Sequence, residues 1–258
     1  MDKFVKIKKT KKESDNEKIA NTNNTDNIIN KETIIKTKNE NSNGKDISKY
    51  LPDRILRDFY TIDGVELAKN LLGKIIVRNL DNGSVILAKI VETEAYMGKD
   101  DKACHAYNNK KTDRTKYFWE NGGHLYIYNI YMPNNFCVNI VSGISGVAEA
   151  VLIRAVEPIS GIDEIQKIRN KTGTLSKGKL IELTNGPAKC GMSLNIDKSF
   201  NAVDLVNSDK VFLINDPTNS KFDIEITKRI NIDYAQEYKD KLWRFIIKGN
   251  PFVSKVKN

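Results

Sequence analysis

Two glutamates and a tyrosine occupy alternate positions in Glu92-Thr93-Glu94-Ala95-Tyr96. If the strand leading into them continues, all three side chains project from one face. Acidic residues placed so close together invite a functional question. The plainer reading of the same spacing is an exposed strand end whose side chains are solvated. His105 follows nine residues beyond Tyr96, next to Cys104, in a segment too polar for a core. A Cys-His pair raises zinc, but His124, Cys137 and Cys190 offer no Cys-x-x-Cys or similar ligand spacing, so no metal is expected. The paired cysteines of a zinc deaminase are missing as well. Tyr126, Tyr128 and Tyr131 crowd a later run, where period-two geometry sends Tyr128 to the opposite face from Tyr131. Rings in a hairpin are commonly sheet packing. Interleaved with Lys110, Lys111, Arg114 and Lys116, they also fit a nucleic-acid surface, where rings stack on bases and cations hold phosphates.

The elements that must position these residues follow from pattern. Asp63, then Val65, Leu67, Ala68, Leu71 and Leu72, then Gly73, predict a capped amphipathic helix with a glycine stop. Two β-rich runs, Lys74 to Leu80 and Ser84 to Val91, are joined by Asp81-Asn82-Gly83, a hairpin signal, and the second leads directly into Glu92. His124 to Tyr131 and Phe136 to Ser142 predict another hairpin across Met132-Pro133-Asn134-Asn135, and Val147 to Val156 a further strand. Helices are expected at about Gly161 to Asn170 and at Asn185 to Met192, with strands at Lys210 to Ile214, Asp223 to Lys228 and Arg244 to Ile247. There is no repeat and no Gly-rich strand-to-helix loop, which disfavours dinucleotide-binding and P-loop folds.

Composition bounds the rest. The 258 residues are 40% hydrophobic, enough for a core, and carry a net charge of +9, which points to an anionic partner. No run approaches the roughly 18 apolar residues of a membrane-spanning helix, so no membrane role is expected. Three scattered cysteines without a secretory segment fit a reducing, intracellular setting. Residues 1–49 hold 12 lysines and 8 acidic residues with one aromatic, Phe4. Such a segment buries too little apolar surface to offset ordering entropy of about 1–2 kcal/mol per residue. It is expected to be a disordered Lys/Asn-rich tail.

The run Val91-Glu92-Thr93-Glu94-Ala95-Tyr96, with His105 downstream, resembles the alkyladenine (3-methyladenine) DNA glycosylase family. The likeness continues in order through Thr112-Asp113-Arg114, His124-Leu125-Tyr126-Ile127-Tyr128-Asn129-Ile130-Tyr131, Phe136-Cys137-Val138-Asn139, Leu152-Ile153-Arg154-Ala155-Val156-Glu157-Pro158, Asn185-Gly186-Pro187-Ala188-Lys189 and Lys248-Gly249-Asn250-Pro251-Phe252-Val253-Ser254. It spans about Leu51 to Lys255, and seven ordered blocks are far more specific than one short motif.

The resemblance implies excision of alkylated or deaminated purines from duplex DNA by a monomer without metal or organic cofactor, leaving an abasic site. It implies Glu94 as general base for water attacking the sugar C1′, with Arg154 as the active-site arginine. Tyr96, Tyr128 and His105 would hold the flipped base, and Asn139 would exclude guanine by crowding its exocyclic amine. Lys110, Thr112 and Arg114 would meet phosphates. Tyr131 matches the wedge that fills the gap left by the flipped nucleotide. Here the chain departs from the family's usual Gly-Met-Tyr, having Met132-Pro133-Asn134-Asn135, so either Tyr131 or Met132 is the candidate wedge. Asp113 stands where the family usually has Pro. The implied fold is a single α+β domain over residues 50–258, a mixed, largely antiparallel curved sheet with peripheral helices. The alternative is a non-catalytic lesion- or RNA-binding domain on the same scaffold. Loss of Glu94, Tyr96, His105 or Arg154 would mark it, and all four are present.

Overall fold

The computed structural model describes residues 46–130 and 132–255. The tail expectation therefore falls outside the described residues, apart from its last four, of which Ser48 and Lys49 belong to a 3-10 turn, Ser48–Asp53.

Asp63 starts the first helix as its sequence context requires. Its carboxylate accepts from the Val65 and Glu66 amides at 2.9 and 3.2 Å and opens α1 (Gly64–Leu71), which buries Leu67, Ala68 and Leu71. Gly73, at φ +80°, follows the helix in a conformation that penalises a β-carbon. Asp81-Asn82-Gly83 then turns β1 (Ile75–Asn79) into β2 (Val85–Tyr96). A second hairpin joins β3 (Leu125–Asn129) to β4 (Phe136–Ser142). The next strand, β5 (Glu149–Ser160), runs past the expected end at Val156. Of the helices that follow, α2 (Ile162–Ile168) and α4 (Pro187–Ser193) fall where expected. Between them α3 (Lys177–Ile181) was not anticipated, because five residues are too few to display a 3.6-residue period. The strands β6 (Val211–Ile214), β7 (Ile224–Thr227) and β8 (Arg244–Ile247) complete the set.

The eight strands form one sheet in the order β3-β4-β5-β2-β1-β6, with β8 pairing both β2 and β7. Each of these pairings is antiparallel. On the sheet lie α1, against β2 and β5, and α4, against β4 and β5. Leu67, Leu71, Ile90, Ile153, Cys190 and Phe245 belong to the core between them. Among the described residues no helix is long and apolar enough to cross a membrane.

One strand governs the site. Along its first half β2 pairs with β1, as Ile75↔Lys89 to Asn79↔Val85. Along Glu92–Glu94 that flank passes to β8, while β5 follows the other flank throughout. The change of partner coincides with register shifts in the β2–β5 ladder between Ile90 and Thr93, the local irregularity by which sheets re-aim side chains. Beyond it, Glu92 and Glu94 lie in the sheet interior instead of at a solvated end, and both are fully buried.

Glu92 is held by four donors. Arg154 Nε and Arg244 Nε donate to its Oε1 at 2.9 and 2.7 Å, as does Ser254 Oγ at 2.8 Å, while the Ser254 amide donates to Oε2 at 2.6 Å. The carboxylate thus ties β2 to β5, β8 and the segment after β8. Removing one partner of such a buried set leaves the others uncompensated. Glu92→Gln should lower unfolding free energy by about 3–5 kcal/mol in urea titration. A loss under about 1 kcal/mol would contradict the role.

Candidate active site

Two residues along β2, Glu94 points to the same side as Glu92. Its Oε1 accepts from the Ile230 amide at 2.8 Å and its Oε2 from the Tyr96 hydroxyl at 2.9 Å. Arg154 Nη1 lies 3.2 Å from the same Oε2. Arg154, from β5, therefore spans both glutamates. Burial alone would lower its pKa, but the charges of Glu94 and Glu92 outweigh that and raise it above the ordinary arginine value. The site has a permanent cation between two carboxylates.

The Tyr96 hydroxyl connects Glu94 to a half-open cleft. Tyr96, His105, Tyr128 and Asn139 all line it, together with Phe118, Tyr126 and Tyr234. The chain reaches His105 from Tyr96 through a turn at Gly98, where φ is +69° and a β-carbon would stand 2.9 Å from the Ala148 carbonyl. One wall is a connected aromatic cluster. The His105 ring meets Tyr128 edge-on with centroids 4.7 Å apart, and Tyr126 packs against Phe118 at 4.4 Å. His105 Nδ1 and the Tyr126 hydroxyl share a hydrogen bond of 2.8 Å. Asn139 donates from Nδ2 to the Tyr126 carbonyl at 3.0 Å, which fixes the amide against the wall.

This wall is uncharged at neutral pH. Burial first, then the cations Arg114 and Lys110, push His105 down to about 4. Burial raises the Tyr126 and Tyr128 phenols. It also lifts the Cys104 thiol to about 12 and that of Cys137 to about 11. Among the described residues no three His, Cys, Asp or Glu side chains converge as metal ligands.

Lys110, Thr112 and Arg114 sit on an exposed stretch beyond His105. Thr112 Oγ1 accepts from the Thr115 amide at 3.2 Å, so this hydroxyl also shapes its own turn. Met132 is 63% exposed at the tip of the β3–β4 hairpin, where Asn129 Nδ2 donates to its carbonyl at 3.1 Å. Tyr131 lies outside the described residues.

Several residues of the site were not singled out by sequence. Arg244 and Ser254 reach Glu92 from 152 and 162 residues away. Arg229 and Asp101, 128 apart, form a buried ion pair beside Tyr96. Tyr234, 67% exposed, stands at the cleft. No short-range spacing links such partners. The one available signal was Ser254 at the end of the last resembling block.

Residues 58–251 match the family model of methylpurine-DNA glycosylase (MPG). A protein of Natranaerobius thermophilus is 48% identical over 197 residues, which cover 76% of this chain and 96% of the relative. One of Clostridium novyi is 50% identical over 204 residues, covering 78% and 98%. One of Clostridioides difficile is 48% identical over 201 residues, covering 74% and 98%. All three bear the name "Putative 3-methyladenine DNA glycosylase". With most of its folded length inside that match, the chain belongs to the methylpurine-DNA glycosylase family and is a DNA glycosylase.

Proposed function

We propose that the protein flips alkylated or deaminated purines, of the 3-methyladenine, 7-methylguanine and hypoxanthine class, out of duplex DNA and hydrolyses the N-glycosidic bond. The observation that carries this reading is a buried carboxylate, Glu94, one hydrogen bond from a ring that lines a cleft walled by aromatic side chains. The relatives' names support 3-methyladenine among these bases.

In this reaction Glu94 takes a proton from water as the water oxygen bonds to C1′. The C1′–N bond breaks and its electron pair leaves with the base. The sugar passes through an oxocarbenium-like state, and a carboxylate opposes the charge that develops there. Arg154 holds Glu94 in place and meets the DNA backbone beside it. Extrusion costs a few kcal/mol, and stacking returns about 1–3 kcal/mol per ring, so Tyr96 and Tyr128 together roughly balance it. Uncharged His105 completes the pocket by hydrogen-bonding the base. Asn139, pinned by its bond to Tyr126, presents a fixed obstacle to the guanine amine, a selectivity by clash. Lys110, Thr112 and Arg114 set register on phosphates, and Tyr131 or Met132 supplies the wedge.

Glu94→Gln should cut abasic-site formation on a duplex containing hypoxanthine or 3-methyladenine by about 10²–10⁴-fold while lesion binding survives. Wild-type turnover in that variant would sink Glu94 as the base. Comparing Tyr131→Ser with Met132→Ser in gel-shift titration identifies the wedge as the one whose loss weakens lesion binding at least tenfold. Equal, near-wild-type binding by both would remove the hairpin tip from the mechanism. The imidazole of His105 should titrate near pH 4 by NMR, and a midpoint near 6.5 would contradict its buried, neutral role. Because the folded pKa lies below the ordinary value, this residue costs no stability above about pH 6.5. It erodes stability as pH falls from there toward 4.

A further inference from the structure

We infer that Arg229 is a positioning residue that sets the plane of the Tyr96 ring, an inference that rests on the excision reading above. Its guanidinium packs over the Tyr96 ring at 4.8 Å from the centroid and over the Trp243 ring at 4.9 Å. A cation held close to two rings is favourable when desolvated, and Arg229 is 95% buried, with 5% exposed.

The edges of the same guanidinium are fixed. Nη1 and Nη2 donate to the two oxygens of Asp101 at 2.5 and 2.8 Å. Nη1 also donates to the Ala95 carbonyl at 2.9 Å, and Nη2 to the Tyr238 carbonyl at 3.2 Å. Asp101 is itself built into the loop after Tyr96, accepting from the Met97 and Ala103 amides at 3.0 Å each. The Trp243 carbonyl accepts from the Ala95 amide at 2.8 Å. Ring, cation and ring are thus anchored to the backbone on both sides of Tyr96.

The consequence for Tyr96 is geometric. Its hydroxyl is tied to Glu94, apolar neighbours pack against the ring, and the anchored Arg229 guanidinium over the ring further limits rocking about its long axis. A ring fixed before the base arrives gives up no further side-chain entropy on stacking. Lysine cannot substitute, because a compact ammonium cannot fork onto a carboxylate while presenting a flat face to each of two rings.

The test uses the full chain and a duplex with one hypoxanthine beside a 2-aminopurine reporter, whose emission rises when its neighbour unstacks. Arg229→Lys should raise KM about tenfold and lower the reporter signal of the bound complex, with kcat reduced less than threefold. Trp243→Leu, which removes the outer ring and leaves the ion pair, should move the same quantities in the same direction by about threefold. It carries the test if Arg229→Lys does not fold. Unchanged KM and reporter signal in folded protein, or a fall confined to kcat, overturns the positioning role. Absence of base release by the wild-type protein would overturn the excision reading, and this inference with it.

Discussion

A carboxylate taken into a sheet interior costs several kcal/mol unless donors replace its water, and Glu92 meets that condition with four. The donors come from β5, β8 and the segment after β8. That requirement explains much of the topology. The edge of β2 must leave β1 and accept β8 so that Arg244 arrives beside Glu92. Arg154 must come from the opposite neighbour. The chain after β8 must fold back so that the Ser254 amide faces the remaining oxygen. Once these conditions are met, Glu94 is delivered to the same side, two residues on, with Arg154 already in reach.

Charge is distributed with matching economy. Carboxylates and guanidinium groups are concentrated beneath Tyr96, whereas the aromatic wall is held neutral by burial. Exposed cations lie beyond His105, on the stretch that holds Lys110 and Arg114. In the proposed reaction the three zones would meet sugar, base and phosphate in turn. The overall charge of +9 reveals none of this, since it adds a lysine-rich tail to a site whose own cations are largely paired.

Much of this was legible in sequence, for physical reasons. Asp63 and Gly73 bracket α1 because capping is local, and Asp81-Asn82-Gly83 marks its hairpin because the turn is chosen by three residues. Alternation put Glu92, Glu94 and Tyr96 on one side, and it holds because β2 does run on to Tyr96. Their burial was not legible. Read alone, the spacing looked like a solvated strand end, because nothing within ten residues announces that β8 will cover that flank. The same limit hid the Arg229–Asp101 pair, whose partners are joined only by the fold. The resembling blocks and His105 marked half of the cleft lining, yet Tyr126, inside one of them, was given no role of its own, its run reading either as sheet packing or as a nucleic-acid surface. Its bond to His105 needs both chain segments in place.

The closure at Ser254 also dictates an order of events. A ribosome delivers the chain from its N-terminal side, and Glu92 waits for a partner 162 residues further on. Until that stretch has emerged, β2 carries an incompletely satisfied carboxylate and lacks β8 along one flank. The contacts that finish the site are among the most distant in sequence, the kind whose loop-closure entropy slows folding. A nascent chain halted before β8 would thus have its first hairpins but no completed centre.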